Sequence, residues 1–508
     1  MRSVKIAVSQ PWECSVRKLL VCAAAFSGFA VQACAADLGD LTTLKDPLPD
    51  TLTWRGVTVY GTLDFGYAYQ THGLPESGAA YVGLDYALAK LSNQSISALT
   101  NNALEQSKIG VKIEEPIGMG LTVVGKIEAD FNPLSGELSD ACASLARASD
   151  FGMVTATNPT GKNGNVAANA DGSRCGQAFS GQAYGGLSSP LYGTLTVGRQ
   201  TSLIADGTGA YDPQHGSYAF SLIGFSGNAA AGIGATETAR WDNSVKYVYQ
   251  YGPAHAAVMY SSGGQDTPIL GDAYGANIGA TYGGFSIDAF YEKENGAVTL
   301  KASPTPLLTP TTLPGQITNN EAFSAMAKYT YDFGGGSKDG PSSKLTAFAG
   351  YVYMDIGNPN HVQSFYNGDT TGGGYTIQTA DAFNPFHTNK VLQTEWAGLS
   401  YETGPWTVTG AYYHESQSSF LENTSATAFV NCAMGTKGAS DVTQPAKLTT
   451  PANCAGDINF ASLVVDYAFN KHFDVYTGVS FADVSGGLGS GFLQNETVSV
   501  VTGLRLKF

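Results

Sequence analysis

With 508 residues, the chain is too long for one soluble core, which stops growing near ~250–300 residues. Its 62 glycines, 11% aromatic and only 14% charged residues are typical of a chain rich in turns and strands. The formal net charge of −15 makes nucleic acid a poor partner. No apolar run of helix-spanning length follows residue 36, so a chain that crosses a bilayer must do so as a closed β-barrel.

The N-terminus has the pattern of a signal peptide. Arg17 and Lys18 supply positive charge, residues 19–31 are apolar, and residues 33–35 form a small-residue cleavage site. A lipid attachment site at Cys34 and a buried helix are the weaker alternatives. The sequence therefore predicts three parts: a signal peptide at 1–35, an N-terminal extension at 36–54 and a barrel domain at 55–508.

Alternating strands occur in pairs that are joined by tight turns. One pair is 104–115 and 121–131, joined by the Gly- and Pro-containing turn 116–120, where the backbone must reverse. Further turns are predicted at 190–193, 252–254, 283–284, 334–342, 404–405 and 470–472. Long loops are predicted at about 70–103, 132–177, 200–238, 262–272, 294–319, 357–389, 417–456 and 483–493. Seven turns and eight loops imply sixteen strands, with short turns on one rim and long loops on the other.

The faces of the strands agree with a barrel wall. In the last strand, 498–508, every second residue is apolar or neutral, and Arg505 and Lys507 lie on the opposite face. In 243–251, valine and tyrosines share one face and Lys246 lies on the other. One face thus suits lipid and the other suits water, although a Tyr-rich sheet of a soluble sandwich would have the same pattern.

Four cysteines follow the predicted cleavage site, and four cysteines allow three connectivities. Each close pair lies in one Gly-, Ser- and Asn-rich stretch, which favours Cys142–Cys175 and Cys432–Cys454. An oxidising envelope compartment would let both form. No C-x-x-C pair or histidine cluster accompanies them, so we expect neither a metal site nor a cofactor.

Five segments and the terminal residue Phe508 carry a family resemblance, and the segments are 57–64, 107–112, 182–187, 193–200 and 240–247. In these residues the chain resembles the trimeric general porins of Gram-negative outer membranes. The resemblance implies an antiparallel barrel of sixteen strands whose third loop folds into the lumen. It also implies a homotrimer in contact with outer-membrane lipid and lipopolysaccharide, which passes small hydrophilic solutes and ions. The extension 36–54 and the long loops depart from the family pattern.

A barrel of sixteen strands is too wide to be filled by its own side chains, so a sieving channel needs a loop inside it. The Gly-rich segment 200–238 is the candidate, and an outward-facing surface loop is the alternative. A transverse field across the constriction needs cations on one side and carboxylates on the other.

Basic residues of the predicted wall lie opposite apolar partners or flank the loop. They are Lys108, Lys112, Lys126, Arg199 and Arg240. The resemblance places Lys108, Lys112 and Arg199 at lumen-facing basic positions of the family. Asp206 and Asp212 lie in the loop and would supply the opposing charge, unless they cap turns instead.

Two other functions are compatible with a barrel. An outer-membrane enzyme needs an activated nucleophile near a histidine or an acid pair, but the seven histidines are dispersed and lie in no nucleophile motif. We therefore expect no catalysis. A channel selective for one small solute is the other alternative, because the predicted loops are long.

Overall fold

The structure is a computed structural model of the chain. The residues that it describes are 52–74, 76–79, 94–150, 173–224, 239–263, 272–300, 312–334, 343–359, 369–372, 374–379, 386–425, 428–431, 455–486 and 494–508. The predicted signal peptide and the Cys432–Cys454 pair lie outside the described residues.

The described residues form twenty-two strands and two helices. The first half contains β1 Leu52–Trp54, β2 Val57–Gln70, β3 Ile96–Asn101, β4 Lys108–Gly118, β5 Leu121–Asp130, α1 Ala141–Asp150, β6 Ala183–Ser189, β7 Gly193–Thr201, α2 Leu203–Tyr211, β8 Arg240–Tyr251, β9 Ala254–Ser261, β10 Ala273–Tyr282 and β11 Phe285–Leu300. The second half contains β12 Thr312–Asp332, β13 Ser343–Gly357, β14 Asp369–Gly372, β15 Tyr375–Thr379, β16 Lys390–Thr403, β17 Trp406–Gln417, β18 Leu421–Ser425, β19 Ala428–Asn431, β20 Gly456–Asn470, β21 Phe473–Gly486 and β22 Glu496–Lys507.

Sixteen strands close into an antiparallel barrel, which confirms the predicted fold class. Around the wall they follow in the order β2, β4 to β13, β16, β17 and β20 to β22. Each strand pairs with its neighbour in this order, and the last strand pairs with the first through Thr62↔Lys507 to Gln70↔Ser499. Closure leaves no free edge, as a barrel in a bilayer requires.

Alternation along the strands separates a lumen face from an outer face. On β4, Lys108 and Lys112 point inward, whereas Ile109 and Ile113 are exposed on the outside. The same period recurs on other wall strands, and the outer surface carries many exposed apolar and aromatic side chains. These form the surface that would face lipid.

The helices that the structure describes are short. None of them is long and apolar enough to cross a bilayer.

Six of the seven predicted tight turns lie where the sequence predicts them, and the seventh, 334–342, lies almost entirely outside the described residues. The reversal at 283–284 places both glycines at positive φ, 57° and 84°, a conformation that other residues rarely adopt. The turn after β4 is also left-handed, with Met119 at 53° between two glycines of positive φ. Wrong residue types at such points would misalign the strands that the turns join.

Several predicted loops contain regular structure, contrary to expectation. The predicted loop 70–103 ends in β3, and the predicted strand 104–115 begins only at Lys108, because residues 102–107 form an insertion between β3 and β4. The predicted loop 294–319 is largely an extension of the β11–β12 hairpin. The helices α1 and α2 and the strands β14, β15, β18 and β19 also lie in predicted loops. Period-two alternation does not detect these elements.

The N-terminal strand β1 adds to the barrel at one rim. It pairs with β2 through Leu52↔Val59 to Trp54↔Val57, next to the point where the chain ends. There Phe508 exchanges two backbone hydrogen bonds with Gly61, of 3.0 and 3.1 Å. The last residues of the segment predicted as an extension are therefore part of the sheet.

Candidate functional site

The predicted plug segment runs along the inner side of the barrel. We call its described part, residues 202–224, the inner loop. It begins directly after β7 and forms α2, whose neighbours are β10, β11, β12 and β13. The helix therefore packs against β10 to β13, further around the barrel than β7, where the loop begins.

The N-terminus of α2 is held from two directions. The Ser202 hydroxyl accepts a hydrogen bond from the Ala205 N–H at 3.3 Å and caps the helix. Glu292 reaches in from β11 and accepts the Ile204 N–H at 2.9 Å. A carboxylate at this end also stabilises the helix dipole.

The C-terminal end of α2 is joined to three wall strands. The Tyr211 hydroxyl donates to Asp288 on β11, and the Trp396 indole on β16 donates to the Tyr211 carbonyl at 3.1 Å. Lys328 on β12 donates to the Ala210 carbonyl at 2.9 Å. Burial, together with the Asp288 carboxylate, raises the pKa of Tyr211 to about 12, so the hydroxyl keeps its proton.

Asp212 is buried between the inner loop and the wall rather than exposed to the lumen. It is 0% exposed, and its carboxylate accepts hydrogen bonds from the Gly216 N–H at 2.7 Å and from the Tyr413 hydroxyl on β17 at 2.5 Å. Burial raises the pKa of Asp212, and these donors partly oppose that effect. Asp212 therefore caps the turn after α2 and attaches it to the wall, which was the alternative to a pore-facing acid.

The rest of the inner loop continues around the wall. Ser462 on β20 donates to the Phe220 carbonyl at 2.6 Å, and the Phe220 ring packs edge-on against Tyr476 on β21. The Ala219 N–H then reaches the Ala103 carbonyl in the insertion before β4, at 2.9 Å. Apart from an ion pair between Asp206 and Lys246 on β8, the inner loop contacts the wall from β10 to β21, and β4 to β9 form the facing wall.

The five predicted basic residues all lie on the facing wall. Lys108 and Lys112 are on β4, Lys126 on β5, Arg199 on β7 and Arg240 on β8. The register sets Lys112 directly beside Lys126. The structure therefore brings the predicted cations to one side of the barrel, opposite the inner loop.

Each of the three lysines has a carboxylate partner. Lys108 pairs with Glu105 at 3.1 Å, Lys112 with Glu114 at 2.7 Å and Lys126 with Glu128 at 3.2 Å. The wall is thus a lattice of alternating charges rather than a purely cationic strip. Glu114 and Glu128 lie on the same lumen-facing side of their strands as the lysines, and Glu105 lies in the insertion before β4.

The two predicted arginines surround Asp130 and Asp242. Arg199 donates to Asp242 at 2.7 Å and to the Ser180 carbonyl, and Arg240 lies 3.7 Å from Asp130. A third guanidinium, that of Arg174, also lies 3.7 Å from Asp130. We call these three side chains the arginine cluster.

Of the two predicted loop acids, only Asp206 is open to the lumen. It lies in the first turn of α2, is 47% exposed and forms an ion pair with Lys246 on β8. Asp206 therefore meets the facing wall through a lysine that the prediction did not include. The alternation of 243–251 already placed Lys246 on the polar face, so the sequence carried that signal.

Arg174 and Glu292 were also missed. Glu292 lies on the lumen face of β11, where period-two alternation could have found it. Arg174 lies in a connection between strands, where no periodic pattern marks it. Among the described residues no group of three or more His, Cys, Asp or Glu side chains could hold a metal ion.

Comparisons with known proteins agree with this architecture. The family model for the Gram-negative porins matches residues 20–487. An outer membrane porin protein of Bordetella pertussis is 28% identical over 232 residues, which cover 46% of this chain and 44% of that protein. The matched part of the chain thus spans less than half the length of this relative.

A solved structure has a similar fold. An anion-selective porin from Comamonas acidovorans gives a TM-score of 0.50 at 16% sequence identity, covering 89% of this chain and 99% of that one. The family model covers most of the chain, and the barrel of this chain has sixteen strands and an apolar exterior. This chain therefore belongs to the Gram-negative porin family of the outer membrane.

Proposed function

We propose that the chain forms a water-filled channel through which small hydrophilic solutes and ions diffuse passively. The observation that carries the proposal is the arrangement of the inner loop against β10 to β21, which leaves the charged wall β4 to β9 facing it. A lumen that is narrowed on one side and polar on the other admits hydrated solutes and limits their size.

Charges on the two sides support an oriented field. The facing wall carries Lys108, Lys112 and Lys126 beside their carboxylate partners, and the inner loop presents the partly exposed Asp206 at the start of α2, next to Lys246. Charges in a narrow space bounded by low-dielectric walls are screened less than on an open surface. The field would orient dipolar solutes and bias the passage of ions.

The assembly and partners follow from the family. We propose a homotrimer whose outer surface contacts outer-membrane lipid and lipopolysaccharide. The fold and family indicate a channel, and we propose that the chain has no enzymatic activity.

Liposome swelling tests the proposal directly. Vesicles that contain the purified protein should swell in small sugars and amino acids, at rates that fall with solute size. Vesicles with heat-denatured protein are the control. If folded protein leaves the vesicles as tight as this control, the chain is not a diffusion channel.

Neutralising two wall lysines should shift ion preference toward cations. For the Lys108→Gln/Lys112→Gln variant we expect the anion-to-cation permeability ratio to fall about fivefold, since two charges that each act with roughly 0.5 kcal/mol across ~8 Å of water contribute about 1 kcal/mol together. Reversal potentials in planar bilayers under a KCl gradient measure this ratio. Lys471→Gln, at a turn on the rim, is the control and should leave it unchanged. Equal reversal potentials for the wild type and the double variant would show that these lysines do not set the ion preference of the constriction.

A channel selective for one small solute is the second candidate. The long contact between the inner loop and the wall favours it, because a narrow and rigid passage can discriminate between solutes. In the swelling assay, a single fast solute among many of equal size would identify this alternative.

A further inference from the structure

The connection between β5 and β6 contributes Arg174 to the arginine cluster, and a disulfide lies beside this residue. A disulfide joins Cys142 and Cys175, with the two Cα atoms 5.0 Å apart, as the sequence predicted. Cys142 lies in the first turn of α1, and Cys175 directly follows Arg174. The bridge therefore holds the backbone beside Arg174 against the start of a helix.

Two backbone contacts hold the same point. The Ala141 N–H donates to the Arg174 carbonyl at 2.7 Å, and the Arg199 guanidinium donates to the Ser173 carbonyl. Arg174 is thus flanked by a covalent bond to α1 on one side and by a contact with the β7 wall on the other. These contacts constrain the backbone of Arg174 although it lies in a connection between strands.

The Arg174 side chain extends from this point into the cluster. It donates to Gln106 at 3.0 Å and to the Tyr218 hydroxyl of the inner loop at 3.1 Å, and it lies 3.7 Å from Asp130. Only 5% of the side chain is exposed. Arg174 therefore links the wall, the insertion before β4 and the inner loop.

The middle of α1 is also attached. Leu145 and Ala146 pack with the disulfide in an apolar cluster that includes Val298 and Leu313 of the β11–β12 hairpin. β5 and the β11–β12 hairpin are about six wall strands apart in a ring of sixteen. The connection thus reaches from one side of the barrel to structure on the other, which limits its freedom to move.

We propose that Arg174 is a selectivity residue carried by a loop, and that the Cys142–Cys175 bridge is the device that positions its charge. The inference rests on the proposed function, since selectivity has meaning only for a channel. Wall arginines are positioned by the sheet, whereas a loop arginine needs another constraint, which the bridge supplies. Because Coulomb energy falls with distance, a guanidinium that moves away from the lumen loses its effect on permeating ions.

The test measures reversal potentials in planar bilayers under a KCl gradient. We expect Arg174→Gln to lower the anion-to-cation permeability ratio about twofold, because it removes one positive charge from the cluster. Arg147→Gln is the matched control, since Arg147 lies in the same connection but pairs with Glu137 at 2.9 Å, away from the cluster. Arg174→Lys keeps the charge and should retain most of the selectivity.

A double-mutant cycle tests the role of the bridge. Cys142→Ser/Cys175→Ser should shift the ratio in the same direction as Arg174→Gln. Adding Arg174→Gln to the cysteine variant should then change little, because coupled sites are not additive. If the cysteine variant does not assemble, Ala141→Pro replaces it in the cycle. That change removes only the N–H that holds the Arg174 carbonyl, at a first helical position where proline is tolerated.

The outcomes separate the two proposals. A wild-type protein without conductance overturns the proposed function. A conducting wild type whose selectivity equals that of Arg174→Gln overturns the role of Arg174. Fully additive shifts in the cycle overturn positioning by the bridge and leave Arg174 as an independent charge.

Discussion

At the scale of single residues, the environment of a side chain decides its role more than its type does. Asp206 and Asp212 lie in the same inner loop, yet one is 47% exposed and pairs with Lys246, whereas the other is fully buried. The sequence offered pore-facing and turn-capping roles for both. Burial and the contact with Tyr413 favour the capping role for Asp212, and the pore role of Asp206 stays a prediction.

The hydrogen bond to Asp212 yields a local stability prediction. Tyr413→Phe removes the hydroxyl that donates to the buried carboxylate, at a cost of about 1–3 kcal/mol. Amide hydrogen exchange of the inner loop, measured by mass spectrometry, should accelerate accordingly. Tyr412→Phe is the control, because the Tyr412 hydroxyl bonds Asn459 on the exposed face. Equal exchange in both variants would contradict the anchoring role.

At the scale of elements, glycines on the wall make room for the inner loop. A Cβ atom on Gly478 would lie 2.6 Å from the Phe220 ring, and one on Gly398 would lie 2.3 Å from Pro213. A strand glycine normally weakens a sheet, so these positions have a packing reason. The inner loop and the small wall residues fit each other.

This fit predicts the effect of a larger side chain. Gly478→Val should displace Phe220 and destabilise the folded protein by about 1–3 kcal/mol, which is typical of overpacking. The temperature at which the folded barrel loses its compact migration in a detergent gel should fall. Gly410→Ala is the control, because its Cβ would meet nothing closer than 3.8 Å. If both variants melt together, Phe220 is not tightly packed against the wall.

Regular elements inside loops were the main failure of prediction at this scale. The helix α2 is nine residues long, and its stability comes from its cap and from wall side chains such as Glu292. These partners are distant in sequence, so no local pattern indicates the helix. The insertion at 102–107 was missed for a similar reason. It becomes evident only because β3 and β4, on either side of it, both pair with the distant strand β2.

At the scale of the whole molecule, closure of the sheet produces the barrel. β22 pairs with β2 along nine residue pairs, which joins the two ends of the sheet. The apolar outer surface should keep the protein in detergent or lipid.

The family resemblance predicts a homotrimer. We expect a species of three times the subunit mass when the protein is extracted in mild detergent and measured by native mass spectrometry. Heating in dodecyl sulfate should dissociate it into monomers. A subunit mass in mild detergent would contradict the predicted assembly.

The sequence alone determined the barrel, its number of strands, the six turns that the structure describes and the lumen-facing parity of the wall lysines, and it favoured the Cys142–Cys175 pairing. Each of these depends on patterns within one strand, one turn or one loop, because side chains alternate with period two along a strand. Tertiary structure decided how the inner loop is anchored, which carboxylates Arg199 and Lys246 meet, and that Arg174 joins Arg240 beside Asp130. Those contacts join residues tens to hundreds of positions apart, and they exist only once the sheet has closed and its loops have folded against it.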